Sequence, residues 1–165
     1  GTYLGICAGA YYASKEVEFD KNGKLEILGS RELSFFPGKS IGPALSYYNY
    51  ENNKGATAAR ISYMPDKEIY LYHHGGGLFE NAEAFDNVIV IASYVMDDKK
   101  KLPAIIKTTY GKGQSILSGV HFEVNPFNLN QNLYEENRNL ISLLKTTNSA
   151  RKNLIKLIFH NLGFT

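Results

Sequence analysis

Gly1-Thr-Tyr-Leu-Gly-Ile-Cys7-Ala-Gly-Ala10 is the stretch on which the fold turns. Thr2 to Ile6 is short and mostly apolar, the pattern of a strand buried on both faces of a parallel sheet. It stops at Cys7, and the small residues of Ala8 to Lys15 predict a helix start. A nucleophile at such a tight strand-to-helix turn sits in a strained conformation, and Gly5 and Gly9 let neighbouring backbone pack closely. The turn also puts Cys7 at a helix N-terminus, where free N–H groups and the dipole favour thiolate over thiol. The N–H of Ala8 can then point at an oxyanion. The plainer reading is a buried cysteine acting as a small hydrophobe.

A second motif weighs against the plainer reading. His121 and Glu123 follow a strand and a glycine in Leu117-Ser-Gly-Val-His121-Phe-Glu123. Positions two apart on an extended chain face the same side. If that stretch is extended, Glu123 is placed to orient the imidazole and hold its tautomer while His121 takes the proton from Cys7, the arrangement a thiol nucleophile needs. A surface His-x-Glu pair is the alternative. Coincidence of the two motifs favours the chemistry.

Composition narrows the partners. With 165 residues, 44% hydrophobic and 21% charged, residues 1–165 form one globular domain. Eighteen Lys plus Arg against sixteen Asp plus Glu leave +2, too balanced for a protein that grips nucleic acid. No apolar run approaches the roughly 20 residues that cross a bilayer. One cysteine excludes an internal disulfide and any Cys-rich zinc site. The chain shows no basic-then-apolar signal, so a cytoplasmic location is the expectation.

Along the chain, Val17-Glu-Phe19 and Leu25-Glu-Ile27 alternate around Asp20-Lys-Asn-Gly-Lys24, where Asn22-Gly23 predicts a two-residue type I′ hairpin. Arg31 to Pro65 reads as loops around short strands. Thr57 to Met64 and Ile69 to His73 are strands broken by Pro65-Asp66, and Asn87 to Tyr94 is the clearest strand. Ala104 to Thr109 and Gln114 to Ser118 flank Tyr110-Gly-Lys-Gly113, a second hairpin. The rest reads as helical: Asn132 with Glu135 resembles a capping box, Ser149 caps a last helix, and Gly163 closes it.

Other residues invite weaker readings. His73 and His74 are adjacent on a strand and point to opposite faces, so they are poorly placed to share a metal, and no metal is expected. Gly75 to Gly77 lacks a following Lys-Ser/Thr and is no phosphate loop; close packing or a pocket wall suits it better, with Gly75 and Gly76 as candidates. Arg31 and Glu32 could meet a substrate carboxylate, but an ion pair is preferred. The tyrosines at 11, 12, 47, 48, 50, 70 and 72 read as half-buried packing with a wet end rather than as a pocket.

The Gly-x-Cys-x-Gly elbow and the late His-x-Glu resemble the class I glutamine amidotransferases. Cys7, His121 and Glu123 match their triad one by one. Within that superfamily the chain looks most like the N-terminal domain of eukaryotic biotin–protein ligases and its stand-alone bacterial relatives. The matching segments are Gly5 to Tyr12, Arg31 to Gly38 with Gly42-Pro43, Gly75 to Phe79, and Gly111 to Glu123. They span most of the chain. The resemblance implies an α/β, flavodoxin-like three-layer sandwich with added β-hairpins. It also implies strands and helices ahead of the nucleophile strand, with a glycine loop giving a second oxyanion donor. At roughly 30 residues per βαβ unit, the expectation is that this chain is the C-terminal part of a longer fold. A homo-oligomer or protein partner would otherwise complete the site.

The functional expectation is a Cys-His-Glu amide hydrolase or amidotransferase acting through a thioester on a small-molecule amide, with no cofactor. Biotin ligation is not expected, because no Gly-Arg-Gly-Arg-type adenylate loop is present. The alternative is a non-catalytic binding or regulatory module that keeps the scaffold. A redox or aldehyde-handling relative ranks last, since no clear acidic residue stands beside the elbow.

Overall fold

The computed structural model describes residues 1–45, 48–49, 51–64, 67–134 and 137–164. Strand β1 (Thr2–Ile6) leads through Cys7 into α1 (Ala8–Tyr12), then β2 (Ser14–Phe19), β3 (Ile27–Ser30) and β4 (Phe36–Gly42). Next come β5 (Thr57–Tyr63), β6 (Glu68–His73), β7 (Leu78–Phe79), β8 (Val88–Val95), β9 (Lys101–Tyr110) and β10 (Gly113–Ser118). Helices α2 (Leu140–Thr146) and α3 (Asn148–Asn161) end the chain. Six strands form one sheet in the order β1-β10-β9-β8-β5-β6, and four form a second, β3-β2-β4-β7.

Alternation along the central strands builds three layers. Ile105 and Ile116 face α3, packing with its Leu154 and Ile158, and with Leu162 just beyond it. Their neighbours Ile106 and Leu117 face the other way, against Ala10 of α1, Phe36 of β4 and Phe79 of β7. Successive strand residues point to opposite faces, so two adjacent apolar residues on each strand bury both faces at once. The chain is a mixed α/β sandwich: a helical layer, the six-stranded sheet, and α1 with the small sheet. β1 pairs with β10 in parallel, while the hairpins supply antiparallel pairings. The sheet curls, for the segment leaving β10 bridges back through His121 to Tyr72 on β6.

Several expectations need correction. β1 has β10 as its partner among the described residues, and of its residues only Gly5 is buried, so it is not sheathed on both faces. The first helix ends at Tyr12 rather than Lys15, because Ser14 already pairs with Phe36. The first hairpin closes at Phe19 and Ile27, with a longer loop than Asn22-Gly23 demands. Asp20 organises that loop, accepting Gly23 N–H on its backbone oxygen at 2.7 Å and Leu25 N–H on Oδ2 at 2.8 Å. The second hairpin has the short turn expected, with Tyr110 opposite Gly113 and Gly111 at φ 56°.

β4 runs through Pro37-Gly38, which reads as loop in the sequence. Its register against β2 shifts between Ser14 and Glu16, which tolerates the missing proline N–H. Ser149 lies inside α3, which starts at Asn148 without a side-chain cap, and Gly163 closes it at φ 81°. The Pro65-Asp66 break and the Glu135 half of the capping box lie outside the described residues.

Candidate functional site

The end of β1 is held before the turn begins. Cys7 N–H donates to Ser118 O at 2.8 Å, so the last residue of β10 fixes the cysteine. Cys7 O accepts from Ala10 N–H at 3.0 Å and Tyr11 N–H at 3.1 Å, which starts α1 at once. Between these demands Cys7 takes φ 50° and ψ −107°, a conformation L-residues seldom adopt. A Cβ on Gly5 would stand 2.7 Å from Gly9 O, so the helix crosses β1 too closely for a side chain there. Gly9 has more room; its nearest neighbour would be Tyr3 Oη at 3.5 Å. Ala8 N–H, the first of the helix, has no partner among the described residues.

His121 is set by an equally short path. Gly119 N–H donates to Ala104 O at 2.8 Å, and Ser118 Oγ accepts Val120 N–H at 3.2 Å. His121 N–H then donates to Tyr72 O at 2.8 Å. Nδ1–H of His121 donates to Glu123 Oε1 at 2.7 Å. Burial presses the His121 pKa down, but hydrogen bonds to Cys7 and Glu123, with the charge of both, raise it to about 9. The structure therefore brings Cys7, His121 and Glu123 together.

The glycine triplet serves packing. A Cβ on Gly76 would collide with Gly119 O, and one on Gly119 with Gly77 O. The loop can thus lie flat against the segment that carries His121. His73 pins it from below, donating Nε2–H to Gly76 O at 2.9 Å. Burial lowers the His73 pKa to about 4, so its ring is neutral, and its Nδ1 is buried with no partner among the described residues. His74 leaves on the other side: its Nε2–H donates to Lys54 O at 3.2 Å, and its own carbonyl accepts from Cys7 Sγ at 3.8 Å. Among the described residues no cluster of metal-ligating groups forms.

Cys7 opens on a cleft of about 640 Å³, whose wall also includes Ala8, Arg31 and Gly75. His121 and Glu123 stand outside its described lining. Glu32 is exposed and away from the cleft, and Gly76 is packed rather than lining it. Arg31 and Glu32 form no ion pair among the described residues; Arg31 Nη1 donates to Ser30 O at 2.8 Å instead. Tyr11, Tyr12 and Tyr48 do line the cleft, which the packing reading missed. Tyr70 and Tyr72 pack around the α2 cluster as that reading holds, and Tyr47 and Tyr50 lie outside the described residues.

Two further contributors are not assigned to the site by the sequence, where His74 is weighed only as a metal ligand. His74 borders the cleft beside Cys7. Arg151, buried on α3, donates Nη1–H to Phe122 O at 2.7 Å and so fixes the peptide between His121 and Glu123. Its signal is a charge on an otherwise apolar stripe, three residues before Leu154 and seven before Ile158.

The chain is thus a mixed α/β sandwich with its cysteine at a strand-to-helix turn and a paired His-x-Glu after β10. The chain belongs to the family described as "Biotin-protein ligase, N terminal", which matches residues 1–165. It is 39% identical over 128 residues to a biotin–protein ligase of Schizosaccharomyces pombe, covering 74% of this chain and 20% of that protein. It is 42% identical over 131 residues to an uncharacterized protein of Chlamydia muridarum, covering 76% of this chain and 49% of the relative. The chain thus spans half or less of these relatives. A solved structure described as a glutamine amidotransferase aligns with TM-score 0.44 and 17% identity, over 72% of this chain and 50% of that one.

Proposed function

We propose that this domain cleaves or transfers the acyl group of a small-molecule amide through a thioester on Cys7. The observation that carries this reading is that His121 interacts with both Cys7 and Glu123, with its pKa raised to about 9. Glu123 holds Nδ1–H, which leaves Nε2 to exchange a proton with the sulfur. Cys7 sulfur, its proton passed to His121, attacks the carbonyl carbon; the oxyanion sits toward Ala8 N–H. The C–N bond breaks as His121 gives its proton to the departing amine. Water then attacks the thioester, His121 taking and returning one proton, and acid and free thiol are released.

The test is alkylation and turnover. Iodoacetamide should label Cys7 rapidly near neutral pH, and Cys7→Ala should abolish amide hydrolysis. A cysteine that stays unreactive in the folded protein sinks the proposal. A second reading is favoured by the thiol's hydrogen bond to His74 O: a binding module that retains the elbow as scaffold. A partner captured equally well by the wild type and Cys7→Ala supports that reading, and turnover dependent on Cys7 ends it.

A further inference from the structure

The cleft at Cys7 has a chemistry of its own. One wall is a run of touching rings: Tyr11 edge-on to Phe19 at 5.5 Å, Phe19 edge-on to Tyr48 at 5.7 Å, and Tyr48 tilted against His74 at 4.8 Å. Tyr11 is not free to turn its hydroxyl into the cleft, because it donates to Gly75 O at 3.0 Å. Tyr11 therefore offers the cleft its ring. Val17 of β2, with Leu25 and Ile27 of the first hairpin, adds aliphatic surface. Leu25 and Ile27 are exposed to solvent, at 37% and 48%, so apolar area here awaits cover.

Charge in the same cleft is uneven. Lys24 and Arg31 line it against one carboxylate, Glu26, among the described residues. Glu26 Oε2 already accepts Asn22 N–H at 2.7 Å. Lys24 has no ion-pair partner among the described residues, and Arg31 reaches a backbone carbonyl rather than an acid. A cleft of about 640 Å³ is the size that encloses a medium-sized organic molecule. An amino-acid amide such as glutamine would leave most of the apolar wall wet, and would bring an ammonium group to a net positive site.

Resting on the thioester reading, we propose that the acyl donor carries an apolar chain or ring that ends in an anionic group. The carbonyl sits at Cys7, the apolar part lies along the ring wall, and the anion meets Lys24 and Arg31.

The experiment uses p-nitrophenyl esters, whose good leaving group makes acylation independent of amine departure. Cys7 sulfur bonds to the acyl carbon, the C–O bond breaks, and p-nitrophenolate leaves with the electron pair. Three acyl groups are compared: an ω-carboxyoctanoyl chain, the matching neutral octanoyl chain, and a γ-glutamyl group. Release of p-nitrophenolate and mass spectrometry of the Cys7 peptide report acylation. The carboxy-terminated chain is expected to react about tenfold faster than either of the others, the scale of one charge-assisted contact. Lys24→Gln with Arg31→Gln should erase that preference, bringing the carboxy-terminated chain down to the rate of the neutral one. Cys7 acylated at equal rates by all three, or fastest by the glutamyl ester, overturns this proposal and leaves the thioester chemistry standing. No acylation of Cys7 by any ester overturns both.

Discussion

His121 Nδ1 stands 2.7 Å from Glu123 Oε1, and the peptide between the two is held by Arg151 from α3. A carboxylate fixed on one nitrogen sets the tautomer of the ring and stabilises its protonated form.

Replacing that carboxylate should release the ring. In Glu123→Gln, burial and the contact with Cys7 remain while the negative charge is gone, so the His121 pKa falls from about 9 toward or below 6.5. Titration of the ring by NMR reads the shift directly. The wild-type sign follows from the direction: His121 holds its proton more tightly folded than unfolded. Its contribution is full below about pH 6.5 and is lost as pH rises through about 9. The difference in urea midpoint between wild type and His121→Gln should therefore be larger at low pH and shrink on the alkaline side. A constant difference across that range contradicts the assignment.

His73 should act with the opposite sense. Its pKa is lowered to about 4 by burial, so between that value and 6.5 the unfolded chain takes up a proton that the folded ring refuses. Stability is lost as pH falls from about 6.5 toward 4. His73→Leu gives up the hydrogen bond to Gly76 O and lowers the midpoint at every pH. Its fall across that acid window should nevertheless be shallower than in the wild type. Parallel acid profiles for the two proteins would refute the neutral ring.

The turn at Cys7 and the pairing of His121 with Glu123 were legible in the sequence because each joins residues close together in the chain. A strand ending at a glycine-flanked cysteine, and a His-x-Glu after a strand, need no knowledge of distant packing. What escaped depends on contacts between segments far apart. Arg151 reaches Phe122 O only because α3 lies over the end of β10. The wall of the cleft is assembled from Tyr11, Phe19, Tyr48 and His74, on four separate segments. The first hairpin misled because Asp20 captures the loop backbone, which a dipeptide rule about Asn22-Gly23 does not weigh.

The two elbow glycines should differ. Gly5→Ala drives a Cβ to 2.7 Å from Gly9 O, backbone that can yield only by moving α1 off β1. A loss of about 1–3 kcal/mol is the scale for such overpacking. Gly9→Ala meets only Tyr3 Oη at 3.5 Å and sits within α1, where alanine gains about 1 kcal/mol over glycine. Denaturant melts of the two variants check the contrast. Equal destabilisation would mean that the close crossing of helix and strand is not what Gly5 provides.

Cys7 itself should be a strained residue. Its φ of 50° with ψ of −107° suits glycine and costs an L-residue about 1–3 kcal/mol. Glycine at that position forfeits roughly 0.5–1 kcal/mol of chain entropy relative to alanine. The strain outweighs that entropy, so Cys7→Gly should be about 1 kcal/mol more stable than Cys7→Ala, which keeps the Cβ and the strain. Neither variant carries a thiol, so the comparison separates backbone conformation from chemistry. If Cys7→Gly instead melts well below Cys7→Ala, the turn is not strained at this residue, and the cysteine is held there by its side-chain contacts.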